Sequence, residues 1–384
     1  MRQPRLLFFA AAANNQRLPI MSLAAGSSTT TSSTSWPKME RPSSPLDNAS
    51  DKSKVTTAIM NYVSSKTTIM STRRDLGGGD STFEGVIWEP TTVYVHNARL
   101  SPTAMDLDKN GFQLENQNEH IDKLQEINFC HQDDVVDTYY PICEELVTDC
   151  MKASDTTPIA CVCAFDHNVR SNDHATVGEI KPSSHSNEDQ PAPQVQNPAG
   201  IVHADYTLVS APRRLRDLSK PPKLNDVLRH KLHPQKRQSL LDPKIVQEAL
   251  DGKRRYAFIN VWRSIDKESP VKDLHLACID SQTVDKNELR TFQIHYTDRV
   301  GENYFACPSS KTDTVQHSWC YYPDMTMEEA LLIKQWDSKG QIADSSSERS
   351  TFSIHSAFLD PTAPQNAPAR KSIEVRCIVI WDKE

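Results

Sequence analysis

Ile201-Val202-His203-Ala204-Asp205-Tyr206-Thr207 is the stretch around which the chain is organised. In an extended segment alternate side chains share a face, so His203 and Asp205 project together while Val202 and Ala204 point the other way. One imidazole and one carboxylate then converge on a point. A second imidazole supplied from elsewhere, with open positions left over, would complete the 2-His-1-carboxylate set that suits non-haem Fe(II). The best supplier is His355, in the alternating run Phe352-Ser353-Ile354-His355-Ser356-Ala357-Phe358 near the C-terminus. Alone, His-x-Asp is a common accident. Its surroundings decide.

The chain has 384 residues, 37% of them apolar, with 11 Gly, 9 Cys and a net charge of −7. That length carries a full core, and one domain is expected because the apolar deficit is confined to polar tracts. An acidic balance offers no field to hold a phosphate backbone, so no nucleic-acid partner is expected. Arg213, Arg214 and Arg216 and the basic residues from Arg229 to Arg237 lack interleaved aromatics and read as solvated helix faces. No stretch reaches the ~18–20 apolar residues of a membrane span. The cysteines form no C-x-x-C pair, and Cys161-Val162-Cys163 has no second pair at zinc-like spacing. Buried free thiols in a reducing, cytoplasmic setting follow.

Residues 1–36 carry Arg2, Arg5 and Arg17 with no acid before Glu40, a composition that leaves mitochondrial import open. Residues 1–82 as a whole are read as a disordered Ser/Thr-rich tail, with Gly77-Gly78-Gly79 as a hinge. Residues 83–384 are the single catalytic domain, with a disordered polar insertion at about 171–199. Within the domain, strands are expected at 86–88 and 93–95, separated by Pro90, and helical spacing from Ile121 to Cys150. Pro158 to Phe165 is a continuous apolar run of buried-strand length that leads to His167. After Ser210 to Leu218 comes a polar helical stretch that ends near Leu250, and Arg255 to Arg263 alternates as a core strand should. Shorter strands follow at 274–278, 292–296 and 303–307, and the last strand is Ser372 to Trp381. Thr326-Met327-Glu328-Glu329 has the form of a capping box, which predicts a helix over 330–336. Many short strands with flanking helices point to a mainly β chain built as a jelly roll.

Laid out in order, these segments resemble a family of fungal and bacterial small-molecule hydroxylases and desaturases. It is grouped with the cephem 7-alpha-hydroxylase subunit, the fungal gibberellin desaturase and the aspergillic acid hydroxylase. The resemblance rests on Val95-His96-Asn97-Ala98-Arg99, Phe165-Asp166-His167-Asn168-Val169-Arg170, Val202 to Thr207, Asn260-Val261-Trp262-Arg263, the run from Trp319 to Asp337, His355 to Pro361 and Arg370 to Arg376. It implies a cupin-like double-stranded β-helix, Fe(II) and 2-oxoglutarate as cofactors, and O2 with a small specialised metabolite as reactants. It implies that His203, Asp205 and His355 bind the metal. It also implies that Arg370, followed by Ser372, anchors the distal carboxylate of 2-oxoglutarate, for which a planar bidentate guanidinium is the suitable group. The spacing from His355 to Arg370 leaves Arg376 as the alternative anchor.

His167 follows a buried strand but lacks a carboxylate two residues away, so it reads as a pocket residue that orients a neighbour. Tyr206, Trp262 and Arg263 are the other candidate pocket residues, with core packing as the competing role for each. Two other function classes are weighed: a non-catalytic cupin-like partner subunit of a biosynthetic enzyme, and an S-adenosylmethionine-dependent methyltransferase. The second lacks the glycine-rich loop its fold requires. Oligomeric state, substrate and the choice between hydroxylation and desaturation are not encoded in these motifs.

Overall fold

The computed structural model describes residues 33–34, 36–42, 54–73, 83–173, 180–181, 195–223, 227–296, 299–309 and 316–383. The strands are β1 (Ser33–Thr34), β2 (Val55–Val63), β3 (Met70–Arg73), β4 (Phe83–Glu84), β5 (Trp88–Asn97), β6 (Phe112–Asn116), β7 (Ile159–Ser171) and β8 (His203–Ala204). They continue as β9 (Tyr256–Ser264), β10 (His275–Ile279), β11 (Leu289–His295), β12 (Val300–Ala306), β13 (Trp319–Tyr321), β14 (Glu329–Asp337), β15 (His355–Phe358) and β16 (Lys371–Trp381). The α-helices of five residues or more are α1 (Ile121–Glu126), α2 (Tyr140–Ser154), α3 (Ser210–Asp217), α4 (Leu228–Leu232) and α5 (Pro243–Leu250). The chain is mainly β with few helices, as expected. Among the described residues no helix is long and apolar enough to cross a membrane.

Two sheets carry the structure. One runs β6-β14-β9-β16-β7, and the other runs β1-β4-β3-β11-β12-β8-β15-β10-β13-β5-β2. In β16 the alternation sorts the side chains. Ile373, Val375, Cys377 and Val379 pack outward with α2, while Ile378 and Ile380 pack inward with Phe258, Trp336 and the apolar faces of α3 to α5. Each such fully buried aliphatic side chain contributes about 1.5–3 kcal/mol. At one end of β14, Lys334 and Asp337 are both fully buried and paired at 3.0 Å. Lys334 also reaches Asp108 at 2.6 Å, and Arg255 pairs with Asp337, so a balanced ion network ties the 106–110 loop to the sheet.

Three expectations are corrected. The capping-box sequence does not start a helix: Glu329 to Asp337 is strand β14, paired with β6 on one edge and β9 on the other. Half of the signature survives as a turn, with the Thr326 N–H donating to Glu329 Oε2 at 3.2 Å. Two full ladders of backbone hydrogen bonds outweigh the small helix preference of Ala, Leu, Lys and Gln, which spans only tenths of a kcal/mol per residue. Second, ordered structure precedes Phe83. β2 and β3 are strands, and β2 pairs with β5 along its whole length, from Val55 opposite His96 to Val63 opposite Trp88. Third, Pro90 does not break β5. It lies opposite Asn61, where among the described residues β2 is the strand's only neighbour, as an edge-tolerated proline should.

Residues 1–32 and 74–82, with the import-like segment and the Gly77–Gly79 hinge, lie outside the described residues. So does most of 171–199, although its margins are anchored: Ile180 and Val195 are buried, and Gln196 bridges to Arg170.

Candidate metal centre

His203 and His355 sit opposite one another on neighbouring strands β8 and β15, with ring centroids 4.5 Å apart. Each ring is oriented by its own backbone. His203 Nδ1 donates to the carbonyl of Ile201 at 2.7 Å and His355 Nδ1 to that of Ser353 at 3.2 Å. Those bonds fix the tautomer and leave both Nε2 lone pairs free. Asp205 Oδ1 lies 3.7 Å from His203 Nε2. One ligand atom from each of His203, Asp205 and His355 falls within 4.8 Å of the others, so the three can hold a metal ion.

Burial and the nearby His355 push the pKa of His203 down to about 4, against a partial pull upward from Asp205. That imidazole is neutral at ordinary pH, the state a metal ligand requires. Burial raises the Asp205 carboxyl, but Arg376 foremost, then the two histidines and an Asn260 hydrogen bond, hold it at about 2. The His203 nitrogen is thus neutral and the Asp205 oxygen beside it anionic.

The inner face of the five-stranded sheet looks onto this group. Arg370 is buried against the ring of Trp262, 5.0 Å from its centroid, and donates to Ser372 Oγ at 3.2 Å and the Leu274 carbonyl at 2.7 Å. No carboxylate pairs with it among the described residues. Burial and the charge of Arg170 therefore lower its pKa to about 9, with Glu374 opposing. Beside it, Trp262 Nε1 is a buried donor with no partner. Arg376, six residues on and within β16, has the opposite surroundings: Asp166 and Glu374 at 3.2 Å each and Asp205 at 3.7 Å.

Tyr206 is a core residue, stacked on Phe258 with ring centroids 4.6 Å apart. Two candidate pocket residues are corrected. His167 faces α2, where its Nδ1 meets Tyr140 Oη at 2.9 Å, and burial lowers its pKa to about 4. Arg263 also points outward, bonded to Tyr139 Oη at 3.0 Å, to Gln117 and to the Met327 carbonyl. An irregularity in the β16–β7 register between Arg376 and Cys377 explains the first: it reverses parity along β7, so Asp166 rather than His167 meets Arg376.

Two residues beside the triad escaped sequence reasoning. Asn260 Nδ2 donates to Asp205 Oδ2 at 3.2 Å, and Gln335 Oε1 accepts from the Asp205 N–H at 3.3 Å. For Asn260 a signal existed, a lone amide among the apolar residues of an alternating strand. Gln335 was hidden by the helical reading of its segment.

A family model described as Oxidoreductase/YMDC permease-like domain matches residues 60–235 and 233–380. Hydroxylase/desaturase poxK of Penicillium oxalicum is 27% identical over 310 residues, 77% of this chain and 81% of that protein. The Fe(II)/2-oxoglutarate-dependent dioxygenase nvfI of Aspergillus novofumigatus is 26% identical over 294 residues, 76% of this chain and 84% of that protein. Among solved structures, the iron and alpha-ketoglutarate-dependent endoperoxidase NvfI superposes with a TM-score of 0.57 at 22% identity, covering 86% of this chain and 99% of that one; this likeness speaks for the fold. The chain thus belongs to the oxidoreductase/YMDC permease-like domain family, and hydroxylase/desaturase proteins are among its relatives.

Proposed function

We propose that this chain is a non-haem Fe(II)/2-oxoglutarate-dependent oxygenase that hydroxylates or desaturates a small organic metabolite on a double-stranded β-helix. The observation that carries the reading is the convergence of His203, Asp205 and His355, which come from two neighbouring strands and from segments 150 residues apart. Strand order supports the jelly roll: β14-β9-β16-β7 faces β8-β15-β10-β13. In chain order these eight strands change sheet at every step but β10 to β13.

The donor set fits Fe(II): two imidazole nitrogens and one carboxylate oxygen on one side, with positions left open. When bound, iron supplies oxidation of a substrate C–H bond coupled to decarboxylation of 2-oxoglutarate to succinate and CO2. The protein's part is binding and orientation. Arg370 offers a preorganised cation to the distal carboxylate of 2-oxoglutarate, with Ser372 Oγ and the unpartnered Trp262 N–H as further donors beside it. Arg370 is favoured over Arg376 because its guanidinium lacks a carboxylate partner and Arg376 already has three.

The test is anaerobic titration with Fe(II) and 2-oxoglutarate, followed by O2 and measurement of succinate. Wild type is expected to bind iron and form succinate slowly even without substrate. Asp205→Ala and His355→Ala are expected to lose metal affinity by more than the roughly 10- to 100-fold that outer contacts cost. Iron binding and succinate formation that persist in Asp205→Ala would refute the ligand assignment.

A further inference from the structure

The two oxygens of Asp205 face different partners. Oδ1 is turned toward His203 Nε2, on the side where the ligand atoms gather. Oδ2 accepts from Asn260 Nδ2 at 3.2 Å and lies 3.7 Å from Arg376 Nε. Arg376 is in turn held in place, because its Nη1 donates to Asp166 Oδ2 and its Nη2 to Glu374 Oε1, both at 3.2 Å. The arrangement reaches across the molecule, since Asp205 follows β8 in one sheet while Arg376 and Asn260 lie on adjacent strands of the other, paired in register.

We propose that Arg376 and Asn260 are positioning residues that hold Asp205 to one-oxygen coordination, by occupying Oδ2 so that Oδ1 alone reaches the metal. This rests on the Fe(II)/2-oxoglutarate reading above and adds a role for residues outside the triad. A carboxylate with both oxygens free beside a divalent cation can bind through both, as acidic ligands do at calcium sites. Here a second oxygen would take a fourth position of an octahedron. Three protein atoms leave three positions, enough for a two-point chelating 2-oxo acid and O2; four leave two. The guanidinium also draws negative charge from Asp205, which weakens its attraction for the metal. Arg376 therefore lowers metal affinity while keeping the co-substrate's positions open.

The opposed signs make the test. Full-length wild type, Arg376→Gln and Arg376→Lys are titrated anaerobically with Co(II) by calorimetry, then with 2-oxoglutarate, while the visible Co(II) spectrum reports coordination number. In Arg376→Gln, Co(II) is expected to bind as tightly as in wild type or several-fold more tightly. 2-Oxoglutarate is expected to bind at least tenfold more weakly, with a spectrum shifted from that of wild type before the co-substrate is added. Arg376→Lys, which returns a cation to the position, is expected to recover wild-type metal affinity. If metal and 2-oxoglutarate affinities fall together, Arg376 only supports the fold and the proposal is overturned; unchanged 2-oxoglutarate affinity overturns it equally. Asn260→Ala removes one of the two Oδ2 partners and provides the same split, at smaller size, should Arg376→Gln not fold. A wild type that binds no Co(II) would instead sink the iron reading itself.

Discussion

Arg370→Met should make the ligand-free protein more stable while crippling its hold on 2-oxoglutarate. Burial and Arg170 lower the Arg370 pKa from 12.5 to about 9. At about 1.4 kcal/mol per pH unit, that shift corresponds to a penalty of about 5 kcal/mol for keeping the charged form folded. The sign follows from the direction. A cation with a depressed folded-state pKa is destabilising at every pH below about 9, and the penalty fades only as pH rises from there toward the unfolded value. Methionine is of similar length and removes the charge. Against the relief stand two lost hydrogen bonds, at about 1 kcal/mol each, and a buried stack on Trp262 worth about 2 kcal/mol. The net is a gain of about 1 kcal/mol, or roughly 1–2 °C in Tm for a domain of this size. The opposite holds with the ligand. Two charge-assisted hydrogen bonds at about 1.5–3 kcal/mol each predict roughly 10²- to 10⁴-fold weaker 2-oxoglutarate binding. Thermal melts of the Co(II)-loaded protein across a 2-oxoglutarate series read both numbers, since a ligand that binds only the native state stabilises it by RT ln(1 + L/Kd), with L the free ligand concentration. A variant that melts well below wild type yet responds to 2-oxoglutarate at the same concentrations would show Arg370 to be a structural group and refute the assignment.

Asp337 is fully buried between Lys334 and Arg255, which hold its carboxyl far below the ordinary range against the upward push of burial. A depressed carboxylate contributes stability above its unfolded pKa near 4 and loses it as pH falls from there toward the folded value. Asp337→Asn is expected to cost about 3–5 kcal/mol at pH 7, by leaving two cations underpaired, and to flatten the loss of Tm below pH 4; equal slopes for wild type and variant would contradict this. Tyr62 Oη accepts from Trp319 Nε1 and meets His317 Nδ1, both at 2.9 Å, inside the core. Tyr62→Phe is expected to destabilise by about 1–3 kcal/mol in denaturant melts with metal affinity unchanged, and a shift in metal affinity would mean that the network reaches the triad.

The triad was legible because it uses the simplest property of a strand: two residues apart means one face. The same property made the core strands 255–263 and 372–381 readable, along with the shared face of Arg370, Ser372 and Arg376. What failed is instructive in the same terms. His167 was misplaced because one irregular register step shifts alternation by one residue, a quantity no composition reports. β14 was read as a helix because Thr326 to Glu329 satisfies a local rule, whereas the strand exists by virtue of neighbours more than sixty residues away in sequence. Tertiary pairing overrides local preference in this way where the preference is small. β2 is buried almost continuously rather than alternating, and Ser- and Thr-rich surroundings disguised it.

β2 also bears on where the molecule can be shortened. Asn61 accepts from the Val202 N–H and donates through its side chain to the Gly200 carbonyl, so the backbone leading into His203 is clamped from a strand 140 residues upstream. The change in composition at Phe83 invites an expression boundary there, and it would be a poor one. Cutting at that point strips β5 of its partner along nine residues and leaves a long bare edge, the kind of surface on which chains recruit one another into aggregates.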